Sequence, residues 1–208
     1  HILLRMVEDL TFSKNSDFPH FEKLHKQVST NLSMSPDDSS GFYGHLLHNI
    51  IRTAQDYYLN DPVGKSKKEW QAKDSNIRDS LMASNLKFIK DKNPGKKIVC
   101  WGASAHFANK LAGFDNEELK KFTPMGGYIK KWIGEEEVYN IAFTSLSWDS
   151  TTTISDGIEY KLSQRTSSYG YLDLKSISDS SFYSSALALD ENPVYGRWSN
   201  AFDGMFFT

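Results

Sequence analysis

The sequence predicts an α/β fold, in which helices alternate with short strands. Two apolar runs, at residues 96–101 and 138–145, each follow a segment that reads as a helix, and each ends in small or polar residues. This order of helix and strand is the repeating unit of α/β proteins, whose strands are parallel. Long amphipathic segments before residue 93 supply several further helices.

Bulk composition excludes some classes of protein. The chain has 208 residues, 39% of them hydrophobic, which is enough for a sizeable core. Its formal net charge of -2 gives no electrostatic reason to expect nucleic acid as a partner. No apolar run approaches the roughly 18 residues of a membrane span. Cys100 is the only cysteine, so no disulfide forms within the chain, and both a cytoplasmic and an exported bacterial location stay open.

Residues 1–208 are predicted to form a single domain or a fragment of one, with a helical segment over 1–93 and a strand–helix–strand segment over 94–208. Apolar residues spaced at three and four indicate the helices of the first segment. These helices are expected within residues 1–14, over 18–32, over 42–58, and from Asp74 or Ser75 to about Lys92. Asn93-Pro94-Gly95 ends the last of them.

The second segment is predicted to start with the strand at 96–101. The elements expected after it are a helix over 128–133, a strand over 138–145, a loop or short hairpin over 150–168, one short helix within 169–190, and a last strand near 202–207.

His106 is the first candidate for chemistry because it lies just beyond the predicted strand 96–101. Ligands of open α/β sheets bind beyond the carboxyl ends of the strands. A histidine there can act as a general base on water or a hydroxyl group, or it can be a hydrogen-bonded structural residue. Ser104 lies only two residues before it, too close in sequence to assume a nucleophile–base pair. No Gly-x-Ser-x-Gly motif and no phosphate-binding glycine loop occurs.

Three other features leave two interpretations each. Gly126, in the pair Gly126-Gly127 at a predicted helix start, can present an N–H group to an anion or simply allow a tight turn. His45 and His48, three apart on a helix, can share a metal or lie on a solvated face; no metal site is predicted. Asp79 suits the dipole of the helix it begins, whereas Arg78 does not.

Four stretches resemble the erythromycin esterase-like family, some of whose members were named succinoglycan biosynthesis proteins. Residues 76–83, Asn-Ile-Arg-Asp-Ser-Leu-Met-Ala, resemble that family's Asn-Leu-Arg-Asp-x-x-Met-Ala signature. Residues 97–106 are similar to its strand followed by Trp-Ala-His-Asn-x-His. The other stretches are the helix over 49–58, Met125-Gly126 with Tyr139–Phe143, and, more weakly, Phe202-Asp203-Gly204.

This resemblance implies the C-terminal part of a ChaN-like α/β fold and hydrolysis of an ester, such as a macrolide lactone, as in antibiotic resistance. Histidine would activate water, without a serine nucleophile, an established metal or another cofactor. Family members are longer, and their N-terminal half carries a Gly-Glu-x-x-His motif with catalytic Glu and His. The expected partners are therefore a small-molecule ester or lactone and a missing N-terminal half of the same protein.

The resemblance also implies roles for individual residues. His106 matches the second histidine of the family's loop, while Ala103 stands where the first would be and cannot transfer a proton. Arg78 would bind an anionic or oxyanionic group, unless it forms an ion pair with Asp79 or another helix. Ser104 and Gly126 are the other expected substrate contacts. Because of Ala103, a small-molecule-binding or haem-binding protein without turnover remains the alternative to an enzyme.

Overall fold

The computed structural model describes residues 18–33, 39–60, 65–66, 68–69, 71–146, 155–165, 169–177, 183–190 and 192–208. The chain divides into two compact units, His1–Arg78 and Asp79–Thr208. The helix predicted within residues 1–14 lies outside the described residues. None of the described helices is both long and apolar enough to cross a membrane.

Two helices form the described core of the first unit, as the apolar spacing predicts. They are α1 (Phe18–Ser33) and α2 (Ser39–Asn60). The ring of Phe18 stacks on Tyr58 with centroids 4.5 Å apart, and Ile51 and Ala54 are buried beside it. A single 3-10 turn, Ala72–Ser75, leads into the next helix.

Helix α3 (Asn76–Lys92) has the predicted length, and its residues from Asp79 onward belong to the second unit. Beyond it the chain turns at Gly95, whose φ of 73° lies in the left-handed region. Glycine adopts this conformation without the steric cost that a Cβ imposes. The stop signal Asn93-Pro94-Gly95 is therefore confirmed.

In its described residues, the second unit continues with short helices and five strands. The helices are α4 (Ser104–Phe107), α5 (Glu117–Lys121), α6 (Met125–Ile133), α7 (Ile158–Ser163) and α8 (Trp198–Ala201), with a 3-10 turn at Glu135–Glu137. The strands are β1 (Ile141–Thr144), β2 (Gly170–Asp173), β3 (Ser184–Ala186), β4 (Val194–Gly196) and β5 (Gly204–Phe207).

A mixed three-stranded sheet in the order β1-β5-β2 contains a parallel pair, as an α/β fold predicts, although the two runs at 96–101 and 138–145 do not form it. Strand β1 runs parallel to β5 with Ala142 opposite Met205, and β2 runs antiparallel to β5 with Leu172 opposite Met205. These three side chains share one face, which packs into the main core around Trp198 and Phe202. The predicted strands at 138–145 and 202–207 are thus confirmed, with shorter bounds.

The prediction of a strand at 96–101 is wrong. Residues 96–101 are not assigned to any strand, and all of them are exposed, Val99 to 91%. A strand requires a neighbour that pairs with its backbone N–H and C=O groups, and none of the described strands pairs with this segment. The apolar run therefore marks a segment suited to pairing that has no partner here.

Two predictions after β1 need correction among the described residues. The chain does bend at 155–157, where a loop or short hairpin was expected around Asp156-Gly157, but helix α7, which was not expected, starts at Ile158, and the side chains of Ile158 and Glu159 are buried. Strands β2 and β3 replace the short helix expected within 169–190. Strands of three or four residues are too short for an alternation of apolar and polar residues to be recognised. Whether such a segment forms a strand depends on the neighbouring strand with which it pairs.

Candidate active site at His106 and Asp79

Helix α3 places Asp79 inside the protein. Asp79 and Ala83 are four residues apart, which puts both side chains on one face of the helix, and both are fully buried. Ala83 packs against Met125 and Ile129 of helix α6. An acidic side chain is thus held at the end of an apolar helix–helix contact.

The Asp79 carboxylate caps helix α6. Its Oδ1 atom accepts a hydrogen bond of 2.9 Å from the backbone N–H of Met125, the first residue of α6. The first N–H groups of a helix have no partner within the helix, and the helix dipole favours a negative charge at this end. The contact therefore fixes the carboxylate and satisfies a buried donor.

The same oxygen binds His106. The Nδ1 atom of His106 lies 2.9 Å from Asp79 Oδ1. Because an ionised carboxylate can only accept hydrogen bonds, Nδ1 carries the proton, and Nε2 of the neutral ring is left with a free lone pair. The His106 side chain is 23% exposed while that of Asp79 is fully buried, so the imidazole is the accessible member of the pair.

This arrangement is the one that a histidine general base requires. A buried carboxylate holds one ring nitrogen, fixes the tautomer and stabilises the imidazolium that forms when the other nitrogen takes a proton. In the described part of the chain, no group hydrogen-bonds to His106 Nε2, and the ring contacts Phe122 edge-on at 6.5 Å. The pair can therefore remove a proton from water or a hydroxyl group.

The second oxygen of Asp79 is the unusual feature of the pair. Among the described residues, Oδ2 is buried and has no hydrogen-bond partner. A buried oxygen without a donor costs free energy, about 1–3 kcal/mol. Both donors converge on Oδ1, so the carboxylate is held by one oxygen only.

Gly126 and Gly127 allow helix α6 to approach the backbone that follows His106. A Cβ on Gly126 would lie 2.2 Å from the Phe107 carbonyl oxygen, and one on Gly127 would lie 2.8 Å from that of Asn109. Such distances exclude any side chain without movement of the backbone. The glycine pair therefore has a packing role, and a substrate contact at Gly126 stays a prediction.

Ser104 connects the helix of His106 to the sheet. Its Oγ accepts a hydrogen bond of 3.1 Å from the Phe143 N–H and donates to the Phe143 carbonyl at 3.4 Å. Both bonds reach β1, so the structure places Ser104 beside the strand end. A contact between Ser104 and substrate stays a prediction. Ala103 precedes α4 as its N-cap without a side-chain hydrogen bond.

Two other candidate positions belong to the first unit. Arg78 is exposed at the end of that unit, and its role stays a prediction. His48 is also exposed, and its pKa is lowered by partial burial and by the nearby charge of Arg52. Within the described ranges, no three His, Cys, Asp or Glu side chains are grouped to hold a metal ion.

The Tyr128 hydroxyl interacts electrostatically with the Asp79 carboxylate. Burial raises the pKa of the Tyr128 hydroxyl, a hydrogen bond with Thr123 opposes the shift, and the Asp79 carboxylate adds to it. The hydroxyl therefore stays protonated and uncharged at neutral pH beside the candidate base.

Met125 also lines an apolar groove of about 560 Å³. The Met125 backbone N–H donates to Asp79, and Phe107, which follows His106, lines the groove too. Residues 96–100 are also part of the lining. Grooves of this size and apolar character are typical of small-molecule sites.

Asp79 is the candidate site residue that the sequence interpretation missed, because it considered only the helix dipole and an ion pair with Arg78 for this side chain. A usable signal was present: Asp79, Met82, Ala83 and Leu86 follow the spacing i, i+3, i+4, i+7, so a carboxylate interrupts an apolar stripe. Buried carboxylates need partners, and the partner came from a distant segment.

Comparison with known proteins gives three findings. A family model described as erythromycin esterase matches residues 13–205. A crystal structure of a succinoglycan biosynthesis protein superposes with a TM-score of 0.69 at 14% identity, over 94% of this chain and 51% of that chain. The structure of a mutant erythromycin esterase, EreC, in its open conformation superposes with a TM-score of 0.52 at 17% sequence identity. This superposition covers 99% of this chain and 65% of that one. No curated protein matches the chain.

These findings confirm the predicted fold class. Both structural likenesses concern erythromycin esterase-like folds, and at this level of identity they bear on the fold alone. The chain spans about half of the first of those chains and 65% of the second.

Proposed function

The chain belongs to the erythromycin esterase family, and on that premise we propose that it is the C-terminal part of a hydrolase that cleaves an ester or lactone. One observation carries this proposal: the buried Asp79 carboxylate holds Nδ1 of the partly exposed His106 ring at 2.9 Å, and no described group hydrogen-bonds to Nε2. General-base catalysis of this kind contributes about 10²–10⁴-fold to a rate.

In the proposed reaction His106 Nε2 removes a proton from water while the water oxygen attacks the ester carbonyl carbon. The carbonyl π electrons move to the oxygen and form a tetrahedral oxyanion. When the oxyanion collapses, the C–O bond to the alcohol breaks, and the imidazolium returns its proton to the leaving alkoxide. The products are a carboxylic acid and an alcohol, and Asp79 stabilises the imidazolium throughout.

The reaction also needs groups that stabilise the oxyanion. Arg78 is the candidate for this role, and a contact of substrate with Ser104 or Gly126 belongs to the same proposal. Ala103 has no titratable side chain, so in residues 103–106 His106 alone can move a proton. A Glu and a His from an N-terminal half of the same protein complete the proposed site.

Comparison of two variants on an ester panel, a macrolide lactone included, tests the function. His106→Gln removes the base, and we expect hydrolysis to fall about 10²–10⁴-fold. Asp79→Asn keeps a hydrogen-bond acceptor without the charge, so we expect kcat to fall and KM to change little. His48→Gln, an exposed histidine on α2, is the matched control. Hydrolysis by His106→Gln at the wild-type rate would contradict the proposal.

A small-molecule-binding or haem-binding protein without turnover is the second candidate, and the apolar groove of about 560 Å³ favours it. Spectral titration with haem separates the two. A saturable shift of the Soret band together with no hydrolysis on the panel supports the binding function. Hydrolysis without a Soret shift supports the esterase.

A further inference from the structure

Helices α1 and α2 pack along a contact whose register two side-chain pairs define. Phe18, at the start of α1, stacks on Tyr58, near the end of α2, so the two helices run antiparallel. One turn further along α1, Glu22 Oε1 accepts a hydrogen bond of 3.5 Å from Gln55 Nε2. Because both helices rise equally per residue, the residues that face each other further along follow from these two contacts.

Basic side chains occupy the middle of this contact. One turn beyond Glu22, His25 of α1 faces Arg52 of α2, and His48 follows one turn further along. His48 interacts electrostatically with Arg52, His45 and His25, so basic groups from both helices surround one region. We call His25, His45, His48 and Arg52 the basic seam.

The carboxylates of the two helices are engaged elsewhere. Glu22 is the only acidic residue of α1, and Asp56 is the only one of α2. Glu22 is bonded to Gln55, while Asp56 accepts a hydrogen bond of 2.7 Å from Asn60 and interacts with Arg52 electrostatically. The basic seam therefore gathers more positive charge, once its histidines are protonated, than these two carboxylates balance.

We propose that the basic seam binds a tetrahedral oxyanion, namely the phosphate or sulfate group of a small ligand. All four residues belong to the first unit, His1–Arg78. The inference therefore does not rest on the proposed hydrolysis, which uses Asp79 and His106 of the second unit.

The donors of the basic seam suit an oxyanion of this kind. Arg52 is exposed, and among the described residues its guanidinium hydrogen-bonds only to Gln55, at 3.3 Å. A guanidinium has five N–H donors in a planar fork that matches two oxygens of a phosphate group. Imidazolium groups from both helices can reach further oxygens. A phosphate group offers three acceptor oxygens and a charge of about −1.5 to −2, more than a carboxylate does.

The charge of His48 should be linked to binding. Its pKa is lowered by partial burial and then by the positive charges of Arg52, His45 and His25. A bound oxyanion places negative charge beside the same ring, which favours the protonated form. Because linkage is reciprocal, protonation of the basic seam must strengthen anion binding to the same degree. Affinity is therefore expected to rise as the pH falls through the range in which histidine titrates.

Nuclear magnetic resonance of the 208-residue chain tests the site, because each imidazole gives its own signals. Sulfate is the probe, since it stays a dianion while histidine titrates. It is added at about pH 5.5 and about pH 8, with sodium chloride at equal ionic strength as the reference. We expect binding about tenfold tighter at the acidic pH and a rise in the pKa of His48 that sodium chloride does not produce. His20, exposed near the start of α1, is the internal control.

Two variants locate the site. Arg52→Gln removes the guanidinium fork at an exposed position and should weaken sulfate binding at least about tenfold. Lys23→Gln is the matched control, because it removes the same charge from an exposed position on the face of α1 opposite His25. Inorganic phosphate and methyl phosphate are then compared: tighter binding of methyl phosphate identifies an esterified ligand, and tighter binding of phosphate identifies the free ion.

Three results would each overturn the inference. They are equal affinity for sulfate at both pH values, equal weakening by Arg52→Gln and Lys23→Gln, and an equal response of His20 and His48. Each of them would indicate a general attraction of anions to surface charge rather than a site at the basic seam.

Discussion

Replacing Asp79 with alanine tests the structural core of the candidate site without any substrate. The change removes the shared acceptor of the Met125 N–H and the His106 ring, both at 2.9 Å. Hydrogen bonds to charged groups contribute about 1.5–3 kcal/mol each, so their loss costs about 3–6 kcal/mol.

One term offsets part of that cost. The Oδ2 atom is buried without a partner among the described residues, and its removal returns about 1–3 kcal/mol. From the mid-range values of the two terms, we therefore expect Asp79→Ala to lower the free energy of unfolding by about 2.5 kcal/mol. Urea unfolding followed by circular dichroism measures this difference, provided that the slope with urea is unchanged.

Asp91→Ala is the matched control on the same helix. Asp91 is exposed and pairs with Lys87 at the surface, where such a pair contributes about 0–1 kcal/mol. A destabilisation of Asp79→Ala no larger than that of Asp91→Ala would refute the assignment of Asp79 as a buried double acceptor, and with it the orientation of His106.

Three further predictions concern other parts of the chain. Gly126→Ala places a Cβ 2.2 Å from a backbone oxygen and should destabilise the folded chain by about 1–3 kcal/mol in thermal unfolding. Gly44→Ala on helix α2 is the control, because its Cβ meets nothing within 4 Å, and it should stabilise the folded chain by about 0.5–1 kcal/mol. Lys130→Met leaves the buried carboxylate of Asp203 unpaired and should cost about 3–5 kcal/mol in urea unfolding. Burial raises the pKa of the Glu159 carboxyl above its usual 4.5. The protonated side chain therefore contributes to the free energy of unfolding below pH 4.5, and this contribution is lost as the pH rises through the raised pKa. Glu159→Gln should abolish this loss in unfolding curves taken from acidic to neutral pH.

The sequence carried enough information for the long helices and for the two strands near 138–145 and 202–207, but not for their parallel pairing with each other. Apolar spacing in Phe18–Ser33, Ser39–Asn60 and Asn76–Lys92 reports burial on one face of a helix, which is a local property. The runs containing Ile141–Thr144 and Gly204–Phe207 are apolar because the sheet buries them. Short elements such as α7 and β2 have too few residues for the spacing of their apolar positions to identify a helix or a strand.

The candidate site was predictable only in part. His106 could be chosen because it follows an apolar run, and its partner Asp79, 27 positions earlier, could not be paired with it from spacing. The distance between them depends on how α3 and α6 pack, which is a tertiary property. The sequence alone also cannot show whether a glycine admits another segment of backbone, and only the structure shows that the Phe107 backbone approaches Gly126 closely.

The sequence by itself determined which segments are apolar, which are helical, and which residue types are available for acid–base chemistry. Only the tertiary structure decided that Asp79 holds His106, because a hydrogen bond between distant residues depends on chain packing. It also decided that residues 96–101 are exposed rather than buried. An apolar, strand-like sequence indicates a segment suited to pairing with a neighbouring strand. Whether such a strand lies beside it depends on the folded chain.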